Sequence, residues 1–154
     1  MKKALIGLFL STLAFGACRD ISFEVSVPET SVTTALLYFN MKSEEFHGKY
    51  SDELERGVVV LQCQKMQTFN NKKIIVPFRI SNQGSGVFYY LGLFEHLSDG
   101  VRHIKSYFIG DRVKISAINI KENEIVVDFF HRDNTKDKLV IKKETNQFKK
   151  KMVF

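Results

Sequence analysis

The sequence predicts a mainly β fold, or an α+β fold if residues 30–40 form a helix. Two observations in the stretch 77–130 lead to this prediction. Apolar and aromatic segments of strand length recur there, and short polar or glycine-containing turns separate them. Because βαβ crossovers need about a dozen residues, such short connections indicate an antiparallel meander. The expected arrangement is a small sandwich or a partly open barrel.

Ahead of that stretch, the sequence predicts further strands and one ambiguous segment. Ile21–Val27 alternates apolar and polar residues and ends before a proline, which predicts a first or edge strand. Residues 30–40 allow either a short helix or a strand. Val58–Cys63 predicts a buried strand. Ile74–Ile80 predicts a strand that lies at an edge or carries a bulge, because it contains Pro77.

The central strands follow one another closely. Gly86–Phe94 is an uncharged run of aromatic and branched residues, which suits a pleated, buried surface. The Asp99-Gly100 pair then favours a tight hairpin into Val101–Ile109. Strict alternation in Arg112–Ile120 predicts a strand with one buried face. A polar turn separates it from the strand Ile125–Phe130.

These elements predict a single β-rich domain over residues 29–141, since 154 residues provide one hydrophobic core. Residues 18–28 are expected to form the N-terminus with a first strand or linker. A charged loop leads to a short last strand, Leu139–Ile141. Residues 142–154 contain five lysines and one glutamate, and we expect them to form a frayed basic tail.

The N-terminal residues predict export from the cytoplasm. Two lysines precede an apolar run of about a dozen residues, which suits a secretory signal and is shorter than a membrane-spanning helix. Gly16 and Ala17 stand directly before Cys18, a pattern that resembles the lipobox of bacterial lipoproteins, although Phe15 replaces its usual leucine. We therefore expect residues 1–17 to be a signal peptide and Cys18 to carry palmitate and other acyl chains.

Two alternatives remain open at the N-terminus. Ordinary signal-peptidase cleavage after Gly16 would release a free periplasmic protein, and an uncleaved segment would remain as an anchor helix. The state of Cys18 also decides that of Cys63, the only other cysteine. A lipidated Cys18 leaves Cys63 without a partner, whereas an unlipidated Cys18 can pair with it in an oxidising compartment.

Composition excludes some classes of protein. Hydrophobic residues make up 44% of the chain, which is ordinary for a globular domain and argues against disorder. The formal net charge is +6, but this excess is modest and comes mostly from lysine. We interpret it as a lysine-rich soluble surface and expect no nucleic-acid partner.

The sequence contains no evident catalytic or metal-binding motif, and we expect no cofactor, metal or catalytic residue. The four histidines lack metal-ligand spacing and are interpreted as surface residues: His47, His96, His103 and His131. The alternative function is an envelope hydrolase that uses Cys63 or Ser85 with a histidine. Against it, Cys63 ends an apolar run, and the residues around Ser85 do not complete a nucleophile-elbow pattern.

Two polar clusters are candidate binding or structural sites. A loop after the strand with Pro77 contains Asn82, Gln83 and Ser85, and its glycines could expose backbone N–H groups to an anion. Asp111 and Arg112 place opposite charges at the start of a strand. A purely structural role is the competing interpretation for both clusters.

Residues 77–130 also carry a family resemblance. The segments PFRISNQGSG and IGDRVKI, followed by a hydrophobic strand ending in IVVD, resemble small bacterial envelope lipoproteins of uncharacterised function. Such proteins have an L/I-G-D-R-V stretch near the end of a β-rich domain, and Gly110–Val113 match it. The resemblance implies a secreted, usually tethered, single β-rich domain, and it implies no activity.

The sequence therefore predicts a bacterial envelope lipoprotein with a non-enzymatic β-rich domain. The lipid on Cys18 would attach it to the outer or inner membrane, with the domain facing the periplasm. The domain would bind an envelope protein, a glycan or a lipid.

Overall fold

The computed structural model describes residues 18–70, 72–144 and 147–151, so the predicted signal peptide, residues 1–17, lies outside the described residues. Strands dominate this part of the chain, and every pair of neighbouring strands is antiparallel, which confirms the predicted mainly β meander. The strands are β1 (Glu24–Ser26), β2 (Thr33–Ala35), β3 (Tyr38–Asn40), β4 (Glu45–Ser51), β5 (Arg56–Gln62), β6 (Gln67–Phe69), β7 (Lys73–Asn82), β8 (Val87–Leu97), β9 (Gly100–Asp111), β10 (Lys114–Ile120), β11 (Glu124–Phe130), β12 (Lys136–Glu144) and β13 (Gln147–Lys151). Single 3₁₀ turns occur at Cys18–Asp20 and Cys63–Lys65.

The strands form a hairpin and two larger sheets. β1 and β2 make the hairpin, and β10 to β13 make a four-stranded sheet in chain order. The remaining strands form a seven-stranded sheet in the order β3-β4-β5-β7-β8-β9, in which β6 also pairs with β7. The chain passes from the large sheet to the small one between β9 and β10.

The large sheet is covered on both faces, because its central strands carry apolar side chains on each face. Ile74, Phe78 and Phe94 belong to a core shared with the β1–β2 hairpin. Leu91 and Ile75 belong to a second core shared with the four-stranded sheet. Since successive side chains of a strand point to opposite faces, one strand can supply both cores. The two larger sheets thus share one core, as predicted for a small sandwich.

Pro77 lies in a central strand, and the pairing of that strand with β8 shows no bulge, so the prediction that Ile74–Ile80 lies at an edge or carries a bulge was wrong. β7 pairs with β8 along one side and with β5 and β6 along the other. The pairing of β7 with β5 ends at Phe78, and its pairing with β6 begins at Ile75. Pro77 lies between these two positions and therefore faces the interruption formed by the Cys63–Lys65 turn. Because proline has no N–H, a gap in the neighbouring strand lets it occupy a sheet interior without losing a ladder hydrogen bond.

The structure decides one alternative that the sequence left open and corrects two local predictions. Residues 30–40 contain β2 and β3 instead of a helix, and the buried Thr34 donates its hydroxyl to the carbonyl of Lys49 at 2.7 Å. Strict alternation also fails in β10, where a bulge between Ile115 and Ala117 brings Ile115 and Ile118 into the same core.

The second correction concerns the C-terminal segment, predicted as a frayed tail over residues 142–154, of which 145–146 and 152–154 lie outside the described residues. Residues 142–144 continue β12, and β13 pairs with that strand in an antiparallel register. Residues 147–151 are therefore part of the four-stranded sheet through their backbone pairing with β12.

Candidate functional site

The β7–β8 loop, residues 83–86, is held by two of the predicted site residues. The Asp111 carboxylate accepts a hydrogen bond from the Val87 N–H at 2.9 Å, and the Arg112 N–H donates to the Val87 carbonyl at 2.7 Å. The Arg112 guanidinium also donates to the Ser85 carbonyl. Arg112 has φ of 48°, in the left-handed region, which turns the chain out of β9. The structure therefore brings together Ser85, Asp111 and Arg112.

Asn82 and Gln83 occupy the other side of this loop. The Asn82 amide donates to the Glu55 carboxylate at 3.4 Å, and Tyr50 donates to the same carboxylate at 3.0 Å. Burial, followed by the hydrogen bond from its hydroxyl to Glu55, raises the pKa of Tyr50 well above its usual value. Gln83 and Tyr50 line a shallow surface depression of about 590 Å³ beside the loop.

The contacts in this cluster are mainly internal to the protein. The Gly84 N–H, one of the donors that an anion would need, already donates to the Asn82 side chain at 3.0 Å. The carboxylate of Asp111 is likewise committed to the loop backbone. The arrangement stabilises the connection between two central strands, so the geometry supports the structural role for this cluster.

The two cysteines lie together although 45 positions separate them. Their sulfur atoms are bonded, and their Cα atoms are 5.6 Å apart, within the usual disulfide range of about 4.4–6.8 Å. Cys18 is buried in the core that the β1–β2 hairpin shares with the large sheet, and Cys63 lies in the 3₁₀ turn between β5 and β6. A sulfur in a disulfide cannot also carry a thioether-linked lipid. Lipidation of Cys18 stays a prediction, and this pairing is its chemical competitor.

The contacts of three histidines lead away from Cys63 and Ser85. His131 bonds Asp137 at 2.9 Å, and His47 lies 3.7 Å from Glu45. His103 contacts Phe94 and Ser26. The partners of these three imidazoles are Asp137, Tyr38 and Glu45, and Ser26, so none of the described contacts joins them to the hydroxyl of Ser85 or to the sulfur of Cys63.

His103 is not the surface residue that the sequence suggested. Its ring stacks on Phe94 with centroids 4.6 Å apart, and its Nδ1 accepts a hydrogen bond from the Ser26 N–H at 2.9 Å. Its Nε2 lies 3.0 Å from the Ser106 hydroxyl. Burial lowers the pKa of His103, which keeps the ring neutral and Nδ1 available as an acceptor. His103 thereby fastens β1 to the edge strand β9.

A further cleft was not anticipated from the sequence. We call it the basic cleft: Lys73, Arg102 and Lys105 of the large sheet face Lys143 of β12 across a space of about 780 Å³. In the sequence Lys73 and Lys143 are far from each other and from Arg102 and Lys105, and no motif joins them. Only the Arg102–Glu95 pair had a local signal, because the Asp99-Gly100 hairpin places those two residues opposite each other.

Within the described residues there is no group of three or more histidine, cysteine or acidic side chains able to hold a metal ion. The same part of the chain contains no helix of the length and apolarity that crossing a membrane requires. No protein-family model, curated protein or solved structure compared with this chain matches it. The resemblance to small envelope lipoproteins therefore stays a prediction.

Proposed function

We propose that this chain is an exported bacterial envelope protein whose β-rich domain is a non-enzymatic binding module. The observation that carries the proposal is the disulfide between Cys18 and Cys63, the chain's two cysteines. Both follow an N-terminal apolar segment that begins with two lysines. Disulfides form and persist in oxidising compartments such as the periplasm and are rare in the cytoplasm. The leader-like pattern and the cysteine pair are independent features, and both favour export.

Attachment to the outer or inner membrane through a lipid on Cys18 is the second part of this proposal. The lipobox-like residues before Cys18 support a thioether, and its contact with Cys63 supports a disulfide. Because Cys18 has a single sulfur atom, one polypeptide chain can carry only one of these two modifications. Both modifications occur only after passage across the cytoplasmic membrane, so the export proposal holds for either one.

A binding role is better supported than the hydrolase alternative. The sulfur of Cys63 is bonded to Cys18, so it is not available as a thiolate nucleophile. Ser85 is an exposed loop residue whose carbonyl is held by Arg112. By contrast, the basic cleft offers an open space of the size that small ligands occupy.

The decisive experiment is mass spectrometry of the mature N-terminus, combined with palmitate labelling of the unmodified chain and of Cys18→Ala. We expect the mature chain to begin at or next to Cys18. A lipidated chain loses its label in Cys18→Ala and keeps it in the control Cys63→Ala. An unlabelled chain whose mass rises by about two units on treatment with a dithiol reductant identifies the disulfide form, because the two-electron reduction of each bond adds two hydrogen atoms.

A chain that begins at Met1 and fractionates with cytosolic proteins would contradict the export proposal. Loss of a hydrolytic activity on esters or peptides in Ser85→Ala or Cys63→Ala, with the fold retained, would instead favour the hydrolase.

A further inference from the structure

The basic cleft lies where the two larger sheets diverge. Its floor is the face of β7, β8 and β9 that carries the second hydrophobic core, and Leu93 is buried in that floor. Phe69 of β6 lies at one side, and the end of β12 with Lys143 lies across from it. The space measures about 780 Å³, within the range of about 300–1,000 Å³ typical of small-ligand sites.

Strand register places a fixed row of charges along this floor. Lys73 of β7 and Arg102 of β9 both stand opposite Glu95 of β8. The Lys73 ammonium lies 3.2 Å from the Glu95 carboxylate, and the Arg102 guanidinium lies 2.5 Å from it. Hydrogen bonds from Lys73 and then Arg102 hold the pKa of Glu95 below its usual value. The carboxylate therefore stays ionised, and it orients both cations.

The next row adds an aromatic ring and a further cation. Lys105 stands opposite Leu93, and Tyr107 stands opposite Leu91. The Lys105 ammonium lies 5.1 Å from the centre of the Tyr107 ring, which is buried. Burial raises the pKa of Tyr107 to about 12, so its hydroxyl remains uncharged.

Lys143 completes the site from the opposite sheet. Ile141 lies in the core shared by the two sheets, and Lys143 is two residues further along β12, so both point to the same face. Among the described lining residues, four cationic side chains oppose the single carboxylate of Glu95. An excess of three positive charges thus surrounds an apolar and aromatic floor, with His103 at the margin.

We propose that the basic cleft binds a small organic anion with an apolar body, such as an alkyl or aryl carboxylate, sulfonate or phosphate. The apolar body would lie against Phe69 and Ile104, whose side chains are partly exposed in the cleft, and the anionic group would lie between Arg102, Lys105 and Lys143. This inference rests on the proposed function, because it specifies the ligand class of the binding module. The reason is complementarity: apolar surface removed from water supplies affinity, and converging cations select the charge.

The test uses two probes that share one ring system and differ in charge. Anilinonaphthalene sulfonate carries a sulfonate, and phenylnaphthylamine is the same molecule without it. Fluorescence titration of the purified protein should show saturable binding of the sulfonate and weaker binding of the neutral probe. Added salt should weaken sulfonate binding, because the cleft opens to solvent.

Lys143→Gln and Lys142→Gln form a matched pair for the same titration. Lys142 is the neighbouring residue of β12 and points to the opposite face, so both variants lose one charge from the same strand. We expect Lys143→Gln to weaken sulfonate binding about fivefold, as for loss of one partly exposed ion pair. Lys142→Gln should bind as the unmodified protein does. Urea unfolding curves of both variants check that the fold is retained.

A monomeric fatty carboxylate, below its micelle concentration, should displace the bound sulfonate. Displacement only by vesicles of anionic phospholipid would overturn the proposal, since it would indicate contact with a membrane surface instead of an enclosed ligand. Equal binding of the two probes, or equal effects of the two lysine variants, would also overturn it. These outcomes do not depend on where the mature chain begins, so they separate failure of this inference from failure of the export proposal.

Discussion

At the scale of single residues, His103 shows how burial gives a common side chain a specific role. Its neutral ring is both an aromatic partner of Phe94 and an acceptor for the Ser26 N–H. A protonated ring has no acceptor lone pair on Nδ1, so protonation and this hydrogen bond exclude each other. The attachment of the β1–β2 hairpin to β9 is therefore sensitive to pH.

We predict that stability falls as the pH is lowered from about 7 to about 5, with a contribution from His103. Its pKa is lowered in the folded state relative to the ordinary value of 6.5, so the unfolded chain binds more protons in this window. The contribution of His103 is fully present above the unfolded pKa and is lost as the pH falls toward the folded pKa. The backbone carbonyl of Lys105, 3.2 Å from Nε2, acts in the opposite direction and raises the pKa of His103, but the effect of burial is larger.

Urea unfolding at both pH values measures this effect. His103→Gln should show a smaller loss of unfolding free energy on acidification than the unmodified protein. The control is His96→Gln, which changes an exposed histidine of β8. Equal pH dependence of the unmodified protein and His103→Gln would contradict the assignment.

At the scale of elements, the β7–β8 loop and the interruption beside Pro77 make the central strands possible. At the start of β8, the Val87 N–H bonds to the Asp111 side chain, and the Val87 carbonyl accepts a hydrogen bond from the Arg112 N–H. These two contacts satisfy the backbone of Val87 without regular pairing to β9. The 3₁₀ turn Cys63–Lys65 supplies the gap that Pro77 requires. In each case, irregular backbone at one position preserves regular pairing on either side of it.

We predict that Asp111→Ala lowers the free energy of unfolding by about 1 kcal/mol, because the Val87 N–H loses its protein acceptor. Asp111→Asn keeps an acceptor oxygen at the same position and should lose less than half as much. Urea denaturation of both variants, with equal m-values as a check on the two-state transition, compares them. Equal destabilisation by Ala and Asn would show that charge, and not the hydrogen bond to Val87, is the important property of Asp111.

At the scale of the whole molecule, the large sheet is a central layer between the β1–β2 hairpin and the four-stranded sheet. The hairpin is short, with three residues in each strand, and it has little pairing of its own. Phe23, Val25 and Leu36 attach it through the hydrophobic core. The Cys18–Cys63 bond joins the segment ahead of β1 to the large sheet, so it restrains the least extensive layer.

We predict that reduction, or Cys63→Ser, lowers the free energy of unfolding of the disulfide-bonded form by about 2–4 kcal/mol. The bond closes a loop across 45 positions, which restricts the unfolded chain. Cys18→Ser should cost a similar amount, and the double variant Cys18→Ser/Cys63→Ser should cost no more than either alone, since all three remove one bond. Unfolding curves that are unchanged by reductant would contradict a structural disulfide in the purified protein.

Local patterns were sufficient to predict much of the chain. The polar turn before the strand Ile125–Phe130, the aromatic run of Gly86–Phe94 and the Asp99-Gly100 hairpin depend on residues a few positions apart, and a strand or hairpin lies at each place in the structure. The polar cluster was also found from sequence, since Asp111 and Arg112 adjoin a turn. The hydrogen bonds within this cluster were not predicted, because the partners of Asp111 and Arg112 are far from them in the sequence.

The β class and most turns could be predicted from the sequence, because strand patterns and turn residues are properties of neighbouring residues, and export stays a prediction from the apolar leader. The contact of Cys18 with Cys63, the hydrogen bond from Ser26 to His103 across 77 positions, and the place of Pro77 inside a sheet became evident only in the folded chain. The tertiary structure also assembled the basic cleft from separate strands. Strand order and sheet packing decide such contacts, and both depend on the burial of the entire core at once.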